Sequence, residues 1–392
     1  MKIELFSTDE YQQRLDRTKQ SMAERGIDLL LLSNPANHFY LTGYDGHSYY
    51  TPQMVLVSLN EPYPIWYGRK MDAVGARFTV YMPEEYIIPY GDKYVGSAEF
   101  HPMHHLAEVI KERGWEQARI GVEMDDYYYT AKWHQILTSE LPQATFSDAF
   151  LLVNRVRMRK SAQEIAYMME AGSISAAAMQ AAIDKAQVGV RQCDVMGELY
   201  RVVVGGTPEV GGTFPCKPPN AMVGELCAAP HLSWTDAPLQ EGEMFYIEMG
   251  GARHRYQSPL SRCVYMGTPP QDMQRLAGIV GEGLEAALAK VRPGVLLEEV
   301  EAAWKQVISR YGIEKDSRLG YPVGIGYSPT WGELTCSMRA GDKTVMEENM
   351  TFHCIPALWL EKWGLVISES FVVTAQGAKT FASYPRQLFS KP

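Results

Sequence analysis

Two stretches of this chain superimpose without a gap: 181–203 (AAIDKAQVGVRQCDVMGELYRVV) on 286–308 (AALAKVRPGVLLEEVEAAWKQVI). Lys185 then pairs with Lys290, Gly189 with Gly294, Val190 with Val295 and Val195 with Val300. Each copy reads as helix, glycine turn, helix, because glycine accepts the left-handed conformation that follows a helix end. A repeat of this kind restricts the later part of the chain to an architecture in which two halves each contribute a helix pair. Ala-rich amphipathic helix pairs also look alike without common origin, so the repeat by itself leaves duplication and coincidence both open.

At 392 residues the chain is long for one compact domain, and two units of unequal size are expected. Hydrophobic residues at 46% and charged residues at 21% are ordinary for a soluble globular protein. The net charge of −9 and the absence of any Lys/Arg run argue against a nucleic-acid partner, since phosphate binding needs a clustered basic face. The N-terminal MKIELFSTDEYQQRLDRTKQ has no continuous apolar core of a signal peptide, and no window approaches the roughly 20 apolar residues of a membrane span. Cys193, Cys216, Cys227, Cys263, Cys336 and Cys354 are scattered without CxxC spacing, as structural thiols of a reduced, cytoplasmic protein would be.

The first part reads as an α/β domain. An amphipathic helix after Thr8 carries Tyr11, Leu15 and Met22 on one side, and 28–33 (DLLLLS) reads as a buried strand. Further strands are expected at 54–59 and 64–67, and helices near 103–113 and 129–141. A long helix should start at Ser161, where Ser161 and Glu164 form a capping box. The boundary is placed at 145–155, giving domains 1–152 and 153–392.

The segment 220–267, NAMVGELCAAPHLSWTDAPLQEGEMFYIEMGGARHRYQSPLSRCVYMG, resembles the creatinase/prolidase/methionine aminopeptidase family. Segment 34–46, NPANHFYLTGYDG, is similar to a strand-turn segment in the N-terminal domain of the same family, and the basic segment and helix around Ser161 resemble the opening of its catalytic domain. The resemblance implies a creatinase-like N-terminal α/β domain and a C-terminal "pita-bread" domain with an internal pseudo-two-fold repeat, an α/β (α+β) fold, with the active site between the halves. It also tips the repeat towards duplication. Metal-dependent relatives use five ligands, and the resemblance places them here at Glu248, Pro259, Tyr321, Ile355 and Ser368. Four of these are poor ligands, so the expectation is no metal and no cofactor.

His231 matches a histidine that the family uses outside the metal shell, and an imidazole can donate or accept a proton near neutrality. Glu248, within the apolar run MFYIEMGG, keeps a charge at a ligand position. His231 and Glu248 are therefore the expected catalytic pair. The resemblance implies Arg339 as the fork for a substrate carboxylate, with Arg262 as runner-up and more structural in position. Glu333, Tyr256, Tyr321, Trp331, His353 and Glu369 are expected to line the cleft. Including PHLSW and SPTWGE, the chain looks most like the metal-free, ectoine-hydrolysing branch. That implies a small zwitterionic substrate, ectoine, with hydroxyectoine left open, and opening of its amidine ring to an acetylated diaminobutyrate. The alternatives are a creatinase-like hydrolase, a metal-dependent Xaa-Pro peptidase and a pita-bread module that only binds. Creatinase has Glu where this chain has Ser261 and Ser368, which puts creatine in doubt. The family also implies a homodimer in which the loop 47–53 and Arg69 approach the partner's site.

Overall fold

The computed structural model describes residues 2–97 and 99–391, which form two units, Met1–Arg157 and Met158–Pro392. The first is built from α1 (Thr8–Glu24), β1 (Leu29–Leu32), α2 (Pro35–Thr42), β2 (Met54–Ser58), β3 (Ile65–Arg69), α3 (Ala73–Thr79), β4 (Ile87–Tyr90), α4 (Pro102–Glu112), β5 (Arg119–Val122), α5 (Ala131–Glu140), β6 (Thr145–Asp148) and α6 (Leu152–Val156). Its sheet runs β4-β3-β2-β1-β5-β6, with β1 central and buried throughout. As expected, Tyr11, Leu15 and Met22 are the buried face of α1.

Segment 34–46 departs from the strand-and-turn reading. Pro35–Thr42 is a helix, because Asn34 caps it by accepting from the Ala36 N–H, Pro35 occupies the first turn and Gly43 closes it at φ 82°. Those local signals outweigh the strand preference of Phe, Tyr and Thr. In this unit Arg69 is paired with Asp92 at 2.6 Å.

The second unit opens with α7 (Ala162–Lys185), whose capping box joins Ser161 and Glu164 in both directions, followed by α8 (Gln192–Gly205). Then come β7 (Asn220–Val223), β8 (Met244–Arg253), β9 (Tyr256–Met266), α9 (Gln271–Lys290) and α10 (Leu297–Ser309). The remaining strands are β10 (Gly320–Tyr327), β11 (Thr330–Gly332), β12 (Thr351–Cys354), β13 (Ala357–Trp359), β14 (Gly364–Val366), β15 (Glu369–Thr374), β16 (Gly377–Thr380) and β17 (Phe389–Lys391). The main sheet is ordered β16-β15-β12-β10-β9-β8-β7. No helix among the described residues is long and apolar enough to cross a membrane.

The repeat corresponds to two helix pairs, α7–α8 and α9–α10. The turns hold Gly189 at φ 87° and Gly294 at φ 88°, a conformation that costs a side chain-bearing residue about 1–2 kcal/mol. Each pair has its own core. Ala182, Val195 and Leu199 pack with Phe245, Ile247 and Leu260, whereas Leu284, Leu297 and Trp304 pack with Phe352, Phe371 and Val373. Close approach of α7 to β8 requires Gly251, where a Cβ would lie 2.3 Å from the Ala171 carbonyl oxygen. The expected two-part α/β architecture is therefore present.

Candidate active site

Strand alternation decides where the central carboxylate points. Along β8, Phe245 and Ile247 face α7 and α8, so Tyr246 and Glu248 share the opposite face. Asn220 on β7 is directly opposite Glu248, and Ser261 on β9 opposes it from the other side. Glu248 Oε2 consequently accepts from Asn220 Nδ2 at 2.6 Å and from the Tyr246 hydroxyl at 2.9 Å. No described residue donates a hydrogen bond to Oε1. One oxygen orients the carboxylate and the other is left for chemistry. Glu248 has no arginine partner among the described residues, although it is buried.

A cavity of about 650 Å³ lies over this carboxylate, lined among others by Lys217, His231, Glu248, Arg318, Tyr321 and Trp331. His231 and Glu248 thus open onto one space. His231 sits on the exposed loop between β7 and β8, with no hydrogen-bond partner among the described residues. Among the described residues the cavity wall carries three cationic side chains, Lys217, Lys315 and Arg318, against one carboxylate. The Lys217 ammonium stands 4.0 Å over the Trp331 ring, and its pKa is lowered by burial although the charge of Glu248 opposes the shift. Burial pushes Lys315 down to about 8, while its Nζ donates to Ser317 Oγ and to the Arg318 carbonyl. The Arg318 guanidinium lies 4.5 Å from the Tyr321 ring centroid and donates to Ser337 Oγ, with no carboxylate partner among the described residues.

Behind the cavity wall is a hydrogen-bonded row. Trp331 Nε1 donates to the Tyr321 hydroxyl at 3.0 Å, and that hydroxyl is 3.0 Å from His353 Nδ1. His353 Nε2 is 2.8 Å from Ser368 Oγ, which accepts from the Ser261 N–H at 2.8 Å. Tyr321 and His353 are direct cross-strand neighbours on β10 and β12. Burial, reinforced by the charges of Lys217, Arg318 and Arg262, holds His353 down at about 3, so the ring is neutral. Burial and the charge of Glu248 push the Tyr321 phenol well above its ordinary value, so it stays protonated.

Several residues expected in the cleft are placed elsewhere. Arg339 is exposed and outside the cavity wall. The bridge between Gly320 and Met338 ends the pairing one residue earlier, and the chain turns away through the Asp342 N–H to Arg339 carbonyl bond. Arg318, on the chain's approach to β10, supplies the guanidinium instead. Glu333 is buried against Lys160 at 2.8 Å, with neither side chain more than 1% exposed. Tyr256 donates to Glu164 Oε1 at 2.8 Å. Glu369 follows Ser368 and so faces the other side of the sheet, where Arg262 meets it at 2.7 Å and Arg386 at 3.2 Å. Arg262 is fully buried and also donates to the carbonyls of Ser261, Ser368, Tyr384 and Pro385. His353 stands one layer behind Tyr321. Tyr321 and Trp331 line the cavity.

Lys217, Asn220, Lys315 and Arg318 were not singled out by sequence reasoning. Asn220 had a usable signal, since it opens the strand that pairs with the Glu248 strand. Lys217 in CKPP, Lys315 and Arg318 are loop residues without periodicity, and only the folded chain brings them together.

The side chains at the five positions where the resemblance implies ligands do not fit a divalent pair. Pro259 and Ile355 have no side-chain donor atom, and Tyr321 and Ser368 are engaged with His353. Among the described residues no group of three or more His, Cys, Asp or Glu is placed to hold a metal.

Residues 166–375 match the model of metallopeptidase family M24, and residues 14–159 match the creatinase/prolidase N-terminal domain. An ectoine hydrolase of Halomonas elongata is 44% identical, with 98% of each chain covered. An uncharacterized hydrolase/peptidase of Sinorhizobium fredii is 46% identical, with 100% of each chain covered. A prolidase structure from Thermococcus sibiricus superimposes with a TM-score of 0.84 at 18% identity, covering 98% of this chain and 100% of that one, a likeness of fold alone.

Proposed function

The chain belongs to metallopeptidase family M24, with a creatinase/prolidase N-terminal domain, and on that premise we propose that it hydrolyses the cyclic amidine ring of ectoine, without a metal, to an N-acetyl-diaminobutyrate. The observation that carries this reading is the charge pattern of the cavity. One carboxylate, with one oxygen that accepts no hydrogen bond from any described residue, faces a set of cations that includes Arg318, which has no carboxylate partner among the described residues. Ectoine is a small ring with a cationic amidinium and an anionic carboxylate. Glu248 meets the amidinium, Arg318 and Lys315 meet the carboxylate, and Trp331, Trp359 and Ile355 enclose the ring.

In the reaction Glu248 Oε1 takes a proton from water as the water oxygen bonds to the amidine carbon and the C=N π pair moves to nitrogen. His231 protonates the departing nitrogen and, so emptied, takes the remaining hydroxyl proton as the C–N bond breaks; the freed amine then takes up the proton held on Glu248, which resets the carboxylate. The carbon ends as an acetyl amide. The 44% identity to an ectoine hydrolase supports the substrate. Hydroxyectoine fits the same charge pattern.

A homodimer belongs to this proposal. Met71, Val74 and Phe78 form an apolar stripe on and beside α3, exposed by 62%, 51% and 50%. Analytical ultracentrifugation at assay concentration tests the dimer, and a monomer refutes it. Proton NMR of the purified protein with ectoine, before and after exhaustive chelation, tests the reaction. The expected result is the ring-opened acetyl product at equal rates. No product refutes the substrate, and a loss on chelation that a divalent ion restores refutes metal-free turnover.

A further inference from the structure

The Trp331–Tyr321–His353–Ser368 row has one proton arrangement that gives the sealed Ser368 hydroxyl an acceptor, and it fixes what Tyr321 presents to the substrate. Ser368 Oγ is fully buried and makes two contacts: it accepts from the Ser261 N–H and lies 2.8 Å from His353 Nε2. If Nε2 carried the imidazole proton, Ser368 would accept twice and its own hydroxyl proton would have no acceptor. A buried unsatisfied donor costs about 1–3 kcal/mol. If Nε2 is bare, Ser368 donates to it and every group in the contact is used. The ring is neutral, so its proton then resides on Nδ1 and is donated to the Tyr321 oxygen.

That oxygen already accepts from Trp331 Nε1. With both lone pairs taken by N–H donors, Tyr321 cannot direct its hydroxyl hydrogen back into the protein. No described residue accepts it, and Tyr321 lines the cavity. We propose that Tyr321 is a catalytic hydrogen-bond donor whose hydroxyl, polarised by Trp331 and held by the Nδ1–H tautomer of His353, stabilises the oxygen that becomes negative at the tetrahedral amidine carbon. His353 and Ser368 are positioning residues. The inference rests on the hydrolytic reading above and adds to it the group that carries the developing charge. Tyr321 lends its proton without transferring it, so the balance of the reaction is unchanged: the water oxygen bonds to carbon, Glu248 takes one water proton and His231 the other, and the departing nitrogen carries the proton that His231 gave it. The high phenol pKa suits this role, because the donor stays neutral throughout the working pH range.

Two measurements test it. Long-range ¹⁵N–¹H correlation of the imidazole rings, with His353 assigned by comparison with His353→Gln, reads the tautomer in the ligand-free protein. An Nδ1–H pattern is expected, and an Nε2–H pattern overturns the proposal whatever the substrate is. Steady-state kinetics of Tyr321→Phe with ectoine should show kcat lower by about 10²–10³-fold and KM changed by less than about threefold. A kcat within about threefold of wild type overturns the proposal. If the wild-type protein does not open ectoine, the substrate assignment fails by itself, and the tautomer still decides whether Tyr321 presents its proton to the cavity.

Discussion

Replacing Glu248 by Gln separates its catalytic role from its structural one, because the two oxygens have different partners. In the wild type Oε2 accepts from Asn220 at 2.6 Å and from Tyr246 at 2.9 Å, while Oε1 faces the cavity. The glutamine oxygen takes the Oε2 place, where both donors require an acceptor, which leaves the NH₂ group at the Oε1 place. Hydrogen bonds to a charged acceptor contribute about 1.5–3 kcal/mol and neutral ones about 0.5–1.5, so two weakened bonds cost roughly 2–3 kcal/mol. Removing a buried charge returns part of this, leaving a net loss of about 1–2 kcal/mol. For a unit of this size that lowers Tm by roughly 3–6 °C.

The effect on turnover should be much larger. An NH₂ group cannot accept a proton from water and repels the amidinium N–H, so kcat should fall by about 10²–10⁴-fold, equivalent to about 2.7–5.5 kcal/mol. The assay is ring opening followed by proton NMR, with calorimetry on the same sample. A folded Glu248→Gln protein that retains kcat within about threefold of wild type refutes the assignment of Glu248 as base.

His231→Ala should lower kcat by about 10²–10⁴-fold while ectoine still raises Tm, since His231 is exposed and unpartnered among the described residues; undiminished turnover counts against it as acid. Arg318→Ala should raise KM by about 10–100-fold and Arg339→Ala should leave it nearly unchanged, so the reverse ranking in steady-state kinetics would return the carboxylate fork to Arg339. Lys315 has its pKa lowered to about 8, and a bound carboxylate raises it, so above pH 8 the free protein must take up a proton to bind. KM should be flat below pH 8 and then rise about tenfold per unit, whereas Lys315→Met should abolish the pH-dependent rise; a flat wild-type profile contradicts it. Glu333→Ala leaves Lys160 charged and buried and should cost about 3–5 kcal/mol in a denaturant titration, with KM of the folded fraction unchanged; a selective rise in KM would instead make Glu333 a substrate contact.

Much of the architecture was legible because it is written in short-range chemistry. The Ser161/Glu164 capping box, the glycines at 189 and 294 and the apolar run around Glu248 act through neighbours a few residues away, and each marks an element present in the fold. The strand-turn that the resemblance implied for 34–46 is a helix instead, because Asn34, Pro35 and Gly43 at its ends supply the cap, the first turn and the close.

The sequence by itself determined that a carboxylate would sit in a buried strand, and its resemblance to the family carried the expectation of side chains unsuited to a metal at most ligand positions. Which polar groups converge on that carboxylate was decided by the tertiary structure. Pairing of strands far apart in the chain places Asn220 opposite Glu248 and Tyr321 opposite His353. A single step of strand parity turns Ser368 towards His353 and Glu369 towards Arg262. Loops without periodicity then bring Lys217, Lys315 and Arg318 to one wall. Propensity and capping depend on adjacent residues, whereas convergence depends on register between segments that touch only after the chain has folded.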